Sequence, residues 1–165
     1  MIEVRKASIG DEAHLAGLAQ SVQQLHVSHR ADHFRPTEID ALTAWYRDQL
    51  ATPRIAAWLA TVEGRFVGYA LAIQRERPAN LFVNAFRWVE LDQLCVDPSW
   101  QRRGVGSALL QMVRAEAAAQ RIDDIELNVW AFNNDALQFF EAAGFTVARR
   151  RLEMRRPQDT RELRD

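Results

Sequence analysis

Leu94-Cys95-Val96-Asp97-Pro98-Ser99-Trp100-Gln101-Arg102-Arg103-Gly104-Val105-Gly106-Ser107-Ala108-Leu109-Leu110 reads as the end of a strand, a turn and the start of a helix. Asp97-Pro98-Ser99 breaks the apolar run before it, because proline offers no N–H to a ladder. Val105, Leu109, Met112 and Val113 recur at helical spacing and predict a helix over 103–120. The first N–H groups of a helix have no acceptor within it and carry partial positive charge, so this opening suits a phosphate. Gly104 and Gly106 let backbone approach an anion with no Cβ between, and Arg102 and Arg103 add full charges beside those amides. Two better-known phosphate loops fail on residues. No Gly-Lys pair occurs for a Walker-type loop, and Leu109 stands where a dinucleotide fingerprint needs its third glycine. Taken alone, a Gly-x-Gly at a helix start is equally a tight strand-to-helix turn.

Outward from this turn, Phe86 to Val96 predicts a long strand at the sheet centre. Ile55 to Val62 and Arg65 to Ile73 predict two strands joined by a Glu63-Gly64 hairpin. Arg75 to Asn80, polar and containing Pro78, reads as a turn. Near the start, Ile2 to Ala7 alternates like a strand, and Leu15, Leu18, Val22 and Leu25 mark a helix opened by Gly10-Asp11. His29 to Pro36 is a loop, and Thr37 is placed to cap a second helix carrying Ile39, Leu42, Trp45 and Tyr46. Beyond the turn come a strand over Asp124 to Trp130, a helix over Asn133 to Ala142 and a last strand over Phe145 to Met154. This order predicts an α/β fold with a mixed sheet. No repeat or linker interrupts it, so one domain over 1–156 and a short polar tail over 157–165 are expected.

The 165 residues suit one compact domain, with 48% apolar and 26% charged residues and a formal net charge of -1. That balance does not pull the chain toward nucleic acid or an anionic membrane. Lys6 is the only lysine, and the other fixed cations are arginine; with much alanine this hints at a GC-rich bacterial genome. Cys95 is the only cysteine, so no disulfide forms within the chain. No signal-peptide pattern follows Met1-Ile2-Glu3-Val4-Arg5, and no run reaches the roughly 18 apolar residues of a membrane span. A cytoplasmic, reducing setting is expected.

Gln101-Arg102-Arg103-Gly104-Val105-Gly106 resembles the Gln/Arg-x-x-Gly-x-Gly/Ala acetyl-CoA motif of the GNAT superfamily of N-acetyltransferases, and Leu-Cys-Val-Asp-Pro resembles its lead-in. A second block, Asn133-Asn134-Asp135-Ala136-Leu137-Gln138-Phe139-Phe140-Glu141-Ala142-Ala143-Gly144-Phe145, looks like the family's Asn-x-x-Ala-x-x-Phe-Tyr-x-x-x-Gly-Phe. The resemblance is sharp from Phe86 to Phe145 and covers the N-terminal third only in element order. It implies a mostly antiparallel central sheet flanked by helices, with strands splayed between Val96 and Asp124 to admit pantetheine. It implies an enzyme moving acetyl from acetyl-CoA, its co-substrate, to a primary amine by direct attack in a ternary complex, with no metal. Leu94, Cys95 and Val96 would bind the acetyl and pantetheine part. Arg102, Arg103, Gly104, Val105, Gly106 and Ser107 would cradle the pyrophosphate, and Asn133 would bond near the pantetheine arm. Homodimers are common in the family. The acceptor stays open among polyamine, aminoglycoside, amino acid, peptide N-terminus and protein lysine.

An alkyl amine with a pKa of about 10.4 is mostly protonated at neutral pH, so a base must free it for attack. Glu90 and Asp92 are the candidates, Glu90 first. Strand alternation puts 90, 92, 94 and 96 on one face, so both carboxylates are expected beside Leu94 and Val96, with Cys95 opposite. The plain alternative is a pair of solvated carboxylates. Asn128 stands where the ribosomal-protein alanine acetyltransferases carry a glutamate. Phe140 stands where many members carry a tyrosine that protonates the leaving thiolate; Tyr46 or Tyr69 would have to lend a hydroxyl, or thiolate leaves unaided. Loss of that hydroxyl also motivates a rival, a non-catalytic acyl-CoA-binding domain. A nucleic-acid rival rests only on Arg149, Arg150, Arg151, Arg155 and Arg156. His26, His29 and His33 lack further ligands for a metal and suit the acceptor pocket or an exposed loop. Trp88 and Trp130 are expected to flank the slot.

Overall fold

The computed structural model describes residues 1–154. Its strands are β1 (Ile2–Lys6), β2 (Ile55–Val62), β3 (Arg65–Arg77), β4 (Phe86–Val96) and β5 (Ile125–Leu127). Its helices are α1 (Glu12–His29), α2 (Ile39–Leu50), α3 (Val105–Ala119) and α4 (Asn134–Ala142), with a single 3-10 turn at Pro98–Trp100. One sheet runs in the order β1-β2-β3-β4-β5. The first four strands pair antiparallel, and β5 joins β4 in parallel. The chain forms two compact units, Met1–Phe132 and a smaller one from Asn133. Among the described residues no helix is long and apolar enough to cross a membrane.

Side-chain alternation builds the larger unit in layers. Leu59, Tyr69, Leu71 and Cys95 pack with Leu15, Ala16 and Ala19 of α1 and Tyr46 of α2. Residues 69, 71 and 73 of β3 therefore face α1 and α2. From Gly68 onward the even residues face α3: a Cβ added at Gly68 would meet Val105 Cγ1 and Leu109 Cδ1, each at 3.2 Å, and Cys95 O at 2.7 Å; a register shift before Gly68 turns Phe66 the other way, onto His14 of α1. Leu109 and Val113 of α3 are fully buried. The Glu63-Gly64 joint is a two-residue hairpin with both residues at positive φ, 51° and 78°, which matches the twist of the strands it joins.

The register of β4 departs from simple alternation. Leu71 pairs with Gln93 and Ala72 with Leu91, so Asp92 is an extra residue, a β-bulge. The bulge reverses the phase of everything before it. Ile73 pairs with Glu90 and Tyr69 with Cys95, so Glu90, Gln93 and Cys95 share the α1/α2 face. Ala70 pairs with Leu94 and Gly68 with Val96, which puts those two on the α3 face. The expected grouping of Glu90 with Leu94 and Val96, and Cys95 opposite, is thus corrected.

Other boundaries also move. β3 runs through Arg77 where a turn was expected, because Arg75, Glu76 and Arg77 pair with Trp88, Arg87 and Phe86, and ladder bonds need only backbone. Thr37 does not cap α2: its hydroxyl donates to Arg35 O at 3.5 Å, and Glu38 holds the cap position. β5 is shorter than expected because its ladder ends at Leu91↔Leu127, one residue before the bulge, where a bulged strand bends away. No strand forms over 145–154; Arg149-Arg150-Arg151 leaves no alternating apolar face to bury. Arg155, Arg156 and the expected tail lie outside the described residues.

Gly68→Ala should cost about 1–3 kcal/mol in urea unfolding, since backbone and two α3 side chains must give way. Gly17→Ala, in α1 with nothing within 4 Å of the new Cβ, should instead stabilise by about 0.5–1 kcal/mol. Equal shifts at both sites would contradict the close approach.

Candidate active site

The strand-to-helix turn is built by Asp97. Its carboxylate accepts from Ser99 N at 2.9 Å and from the Ser99 hydroxyl, while Asp97 N donates to Val67 O at 2.9 Å and Trp100 N to Asp97 O at 2.8 Å. These bonds hold its carboxyl below the usual carboxylate range, the Ser99 hydroxyl contributing most. Arg102 and Gly104 then take positive φ, 59° and 87°, turning the chain into α3. No side chain caps α3, and its first ladder bond is Ala108 N to Gly104 O at 3.0 Å. Among the described residues, the N–H groups of Gly104, Val105, Gly106 and Ser107 have no acceptor. Gly104 and Ser107 are exposed, as are Arg102 and Arg103. The Arg103 guanidinium lies 5.2 Å over the Trp100 ring, which restrains it beside those donors. Past Leu91 and Leu127, β4 continues to Val96 paired to β3 alone. The β4–β5 ladder and β5 itself both end there.

The other face of β4 carries the carboxylates. Glu90 is half-buried and accepts from Arg75 Nε at 2.6 Å. By area Asp92 is exposed, but protein crowds its carboxylate from the Glu90 and Gln93 side. Loss of water there raises its pKa, and the Glu90 charge raises it further; the Gln93 side chain and the Arg75 charge pull it back. Adjacent strand residues normally point apart, so Asp92 and Gln93 meet only because of the bulge.

Gln93 was missed in the sequence, where its one signal is a lone amide in the run from Leu91 to Val96. Its Oε1 accepts from Tyr46 Oη at 2.6 Å and Tyr69 Oη at 2.9 Å, and the two hydroxyls lie 2.9 Å apart. A 2.6 Å contact fits O–H···O and is short for N–H···O, so the amide oxygen faces the tyrosines and its nitrogen is left toward Asp92. Both tyrosines are almost wholly buried, and burial raises both phenol pKa values. Engaged in this way, neither hydroxyl is open to a thiolate. Cys95 also points into this core, its Sγ 3.3 Å from Leu18 O. Burial pushes its thiol up to about 12, so it is no nucleophile at neutral pH.

His26, His29 and His33 enter a ring cluster instead of a metal site. His29 stacks on Phe132 at 4.5 Å, His26 meets Phe34 at 4.8 Å and His33 meets Trp130 at 5.0 Å. Burial lowers the His26 pKa, with His29 adding to the effect. Among the described residues no three groups are placed to hold a metal. Trp88 stacks on Phe86 at 5.4 Å. In the smaller unit, Asn133 Oδ1 caps α4 by accepting from Ala136 N at 3.2 Å, and Phe140 packs between Phe139 and Phe145.

Fold and site together define an α/β domain that offers backbone donors to an anionic ligand on one side of a strand and carboxylates on the other. The family described as the Acetyltransferase (GNAT) family matches residues 21–145. The L-amino acid N-acetyltransferase AaaT of Escherichia coli is 30% identical over 124 residues, 74% of this chain and 67% of that protein. Among solved structures, a tetramutant of the BH1408 protein from Bacillus halodurans superposes with a TM-score of 0.88 at 23% identity, covering 93% of this chain and 99% of that one. The aminoglycoside N-acetyltransferase AAC(6')-Iy, bound to CoA, gives 0.77 at 21% identity, covering 94% and 95%. The chain belongs to the GNAT family and is an acyltransferase.

Gln93→Leu should cost about 1–3 kcal/mol in chemical unfolding, because it strands a buried phenol proton. A neutral outcome would remove the network from the structure's essentials. Cys95 should resist a thiol reagent at pH 8 until denaturant is added, and fast labelling of native protein would contradict its burial.

Proposed function

We propose that this chain transfers acetyl from acetyl-CoA to the primary amine of a small-molecule acceptor by direct attack in a ternary complex, with residues 1–156 acting as one transferase domain. The observation that carries this reading is the set of N–H groups from Gly104 to Ser107 that have no acceptor among the described residues. They suit the diphosphate, with Arg102 and Arg103 adding charge. Beyond the bulge β4 has no strand partner on its β5 side among the described residues, and the backbone of Leu94, Cys95 and Val96 suits the pantetheine arm there. The relatives named above act on small amines, an amino acid in one and an aminoglycoside in another. A reducing, cytoplasmic setting suits the single buried thiol.

Between the two carboxylates, Asp92 is the better base. Glu90 is already engaged by a cation at 2.6 Å, whereas Asp92 has a raised pKa and, among the described residues, makes no ion pair as short. Asp92 takes one proton from the ammonium. The freed nitrogen bonds the acetyl carbon, the C–S bond breaks, and sulfur leaves with the electron pair. The second amine proton reaches sulfur through solvent. Phe140 supplies no hydroxyl, and a thiol with a pKa of about 8.5 is a tolerable leaving group without one.

Asp92→Asn should lower kcat about 10²- to 10⁴-fold while leaving CoA affinity unchanged in calorimetry. A base works deprotonated, so wild-type activity should fall as pH drops through a pKa above the ordinary carboxylate range, and the variant should lack that limb. Full turnover in the variant with the limb intact would reject Asp92.

A further inference from the structure

Arg75 enters the acceptor face only because β3 runs on past Ile73. It pairs with Trp88, beside the Ile73–Glu90 pair, so it shares the face that carries Glu90 and Asp92. Its Nε donates to Glu90 Oε2 at 2.6 Å, and among the described residues its guanidinium makes no other hydrogen bond. A guanidinium gripped through Nε keeps Nη1 and Nη2 as a parallel pair of donors, the fork that fits both oxygens of a carboxylate. The Arg75 side chain is 45% exposed, so the fork opens to solvent. Its charge also acts on Asp92, which places a free anion-binding fork next to the proton-accepting carboxylate.

We propose that the acceptor is a free α-amino acid whose carboxylate is held by the Arg75 fork while its amine faces Asp92, with Glu90 as the positioning residue that aims Arg75. This rests on the acetyl-transfer reading above. An α-amino acid carries its two opposite charges on one carbon, so it needs neighbouring charges of opposite sign to receive them. A polyamine or an aminoglycoside brings cations only, gains nothing from the fork, and meets Arg75 and Arg77 on this face. A peptide N-terminus lacks the carboxylate on that carbon. Phe86 and Trp88, stacked at 5.4 Å and paired to Arg77 and Arg75, give an apolar side chain a surface nearby.

The test is CoA thiol release with L-phenylalanine, L-methionine, L-alanine and L-glutamate, each beside its α-amide, with spermidine and kanamycin included. The best amino acid should exceed its own amide about 10- to 100-fold in kcat/KM. Arg75→Gln should raise KM for the amino acid by a similar factor, leave CoA affinity nearly unchanged, and abolish the preference over the amide. Arg75→Lys should restore part of it. Amides, spermidine or kanamycin serving as well as the amino acids would overturn the proposal and leave acetyl transfer standing. Equal losses on amino acid and amide in Arg75→Gln would overturn it too. No thiol release with any amine, together with no CoA binding, would overturn both readings.

Discussion

A helix whose first amides have no acceptor among the described residues is the feature on which the rest of the structure's reading depends. Such donors at a helix start are met by water or, better, by an oxyanion. The chain builds this end deliberately: Asp97 ties the turn, Gly104 reverses it at φ 87°, and no side chain caps the helix that follows. Gly68 lets the first half of α3 lie against the sheet. Each of these residues helps to place a few N–H groups just after the end of β4.

The bulge at Asp92 does the complementary work. One extra residue turns a uniform strand into two segments of opposite phase. After it, Leu94 and Val96 face α3. Before it, Glu90 faces the α1/α2 side with Arg75. At it, Asp92 and Gln93 crowd together, and Asp92 gains a proton affinity that an ordinary strand carboxylate lacks. The buried tyrosine pair behind Gln93 gives this junction a fixed floor. One strand thus carries Leu94 and Val96 toward α3 and Glu90 toward α1 and α2, with Asp92 at the point where its phase reverses.

Much of the fold was legible from local pattern. The limits of β2 and β4, the Glu63-Gly64 hairpin and the α3 start all rest on chemistry close in sequence: alternation, a two-residue turn, a proline break, glycines at a helix opening. The bulge was not legible, because no residue type at Asp92 demands one; it arises from how β3 and β4 share register. Once the phase slipped there, the facing of Glu90 and Cys95 was inverted as well. Arg75 and Gln93 escaped for a related reason. Polarity argued for a turn at Arg75, while backbone pairing to Phe86 and Trp88 carried the strand onward. Gln93 declares itself only through Tyr46 and Tyr69, distant in sequence. Over 145–154 the alternation was real but too interrupted by arginine to bury a face.

The most direct measurement is an amide-resolved NMR titration of ¹⁵N-labelled protein with CoA, and in parallel with pantetheine, which lacks the phosphates. The account predicts large shifts at Gly104, Val105, Gly106 and Ser107 with CoA and little change there with pantetheine. Saturable CoA binding that leaves those four signals in place would contradict it.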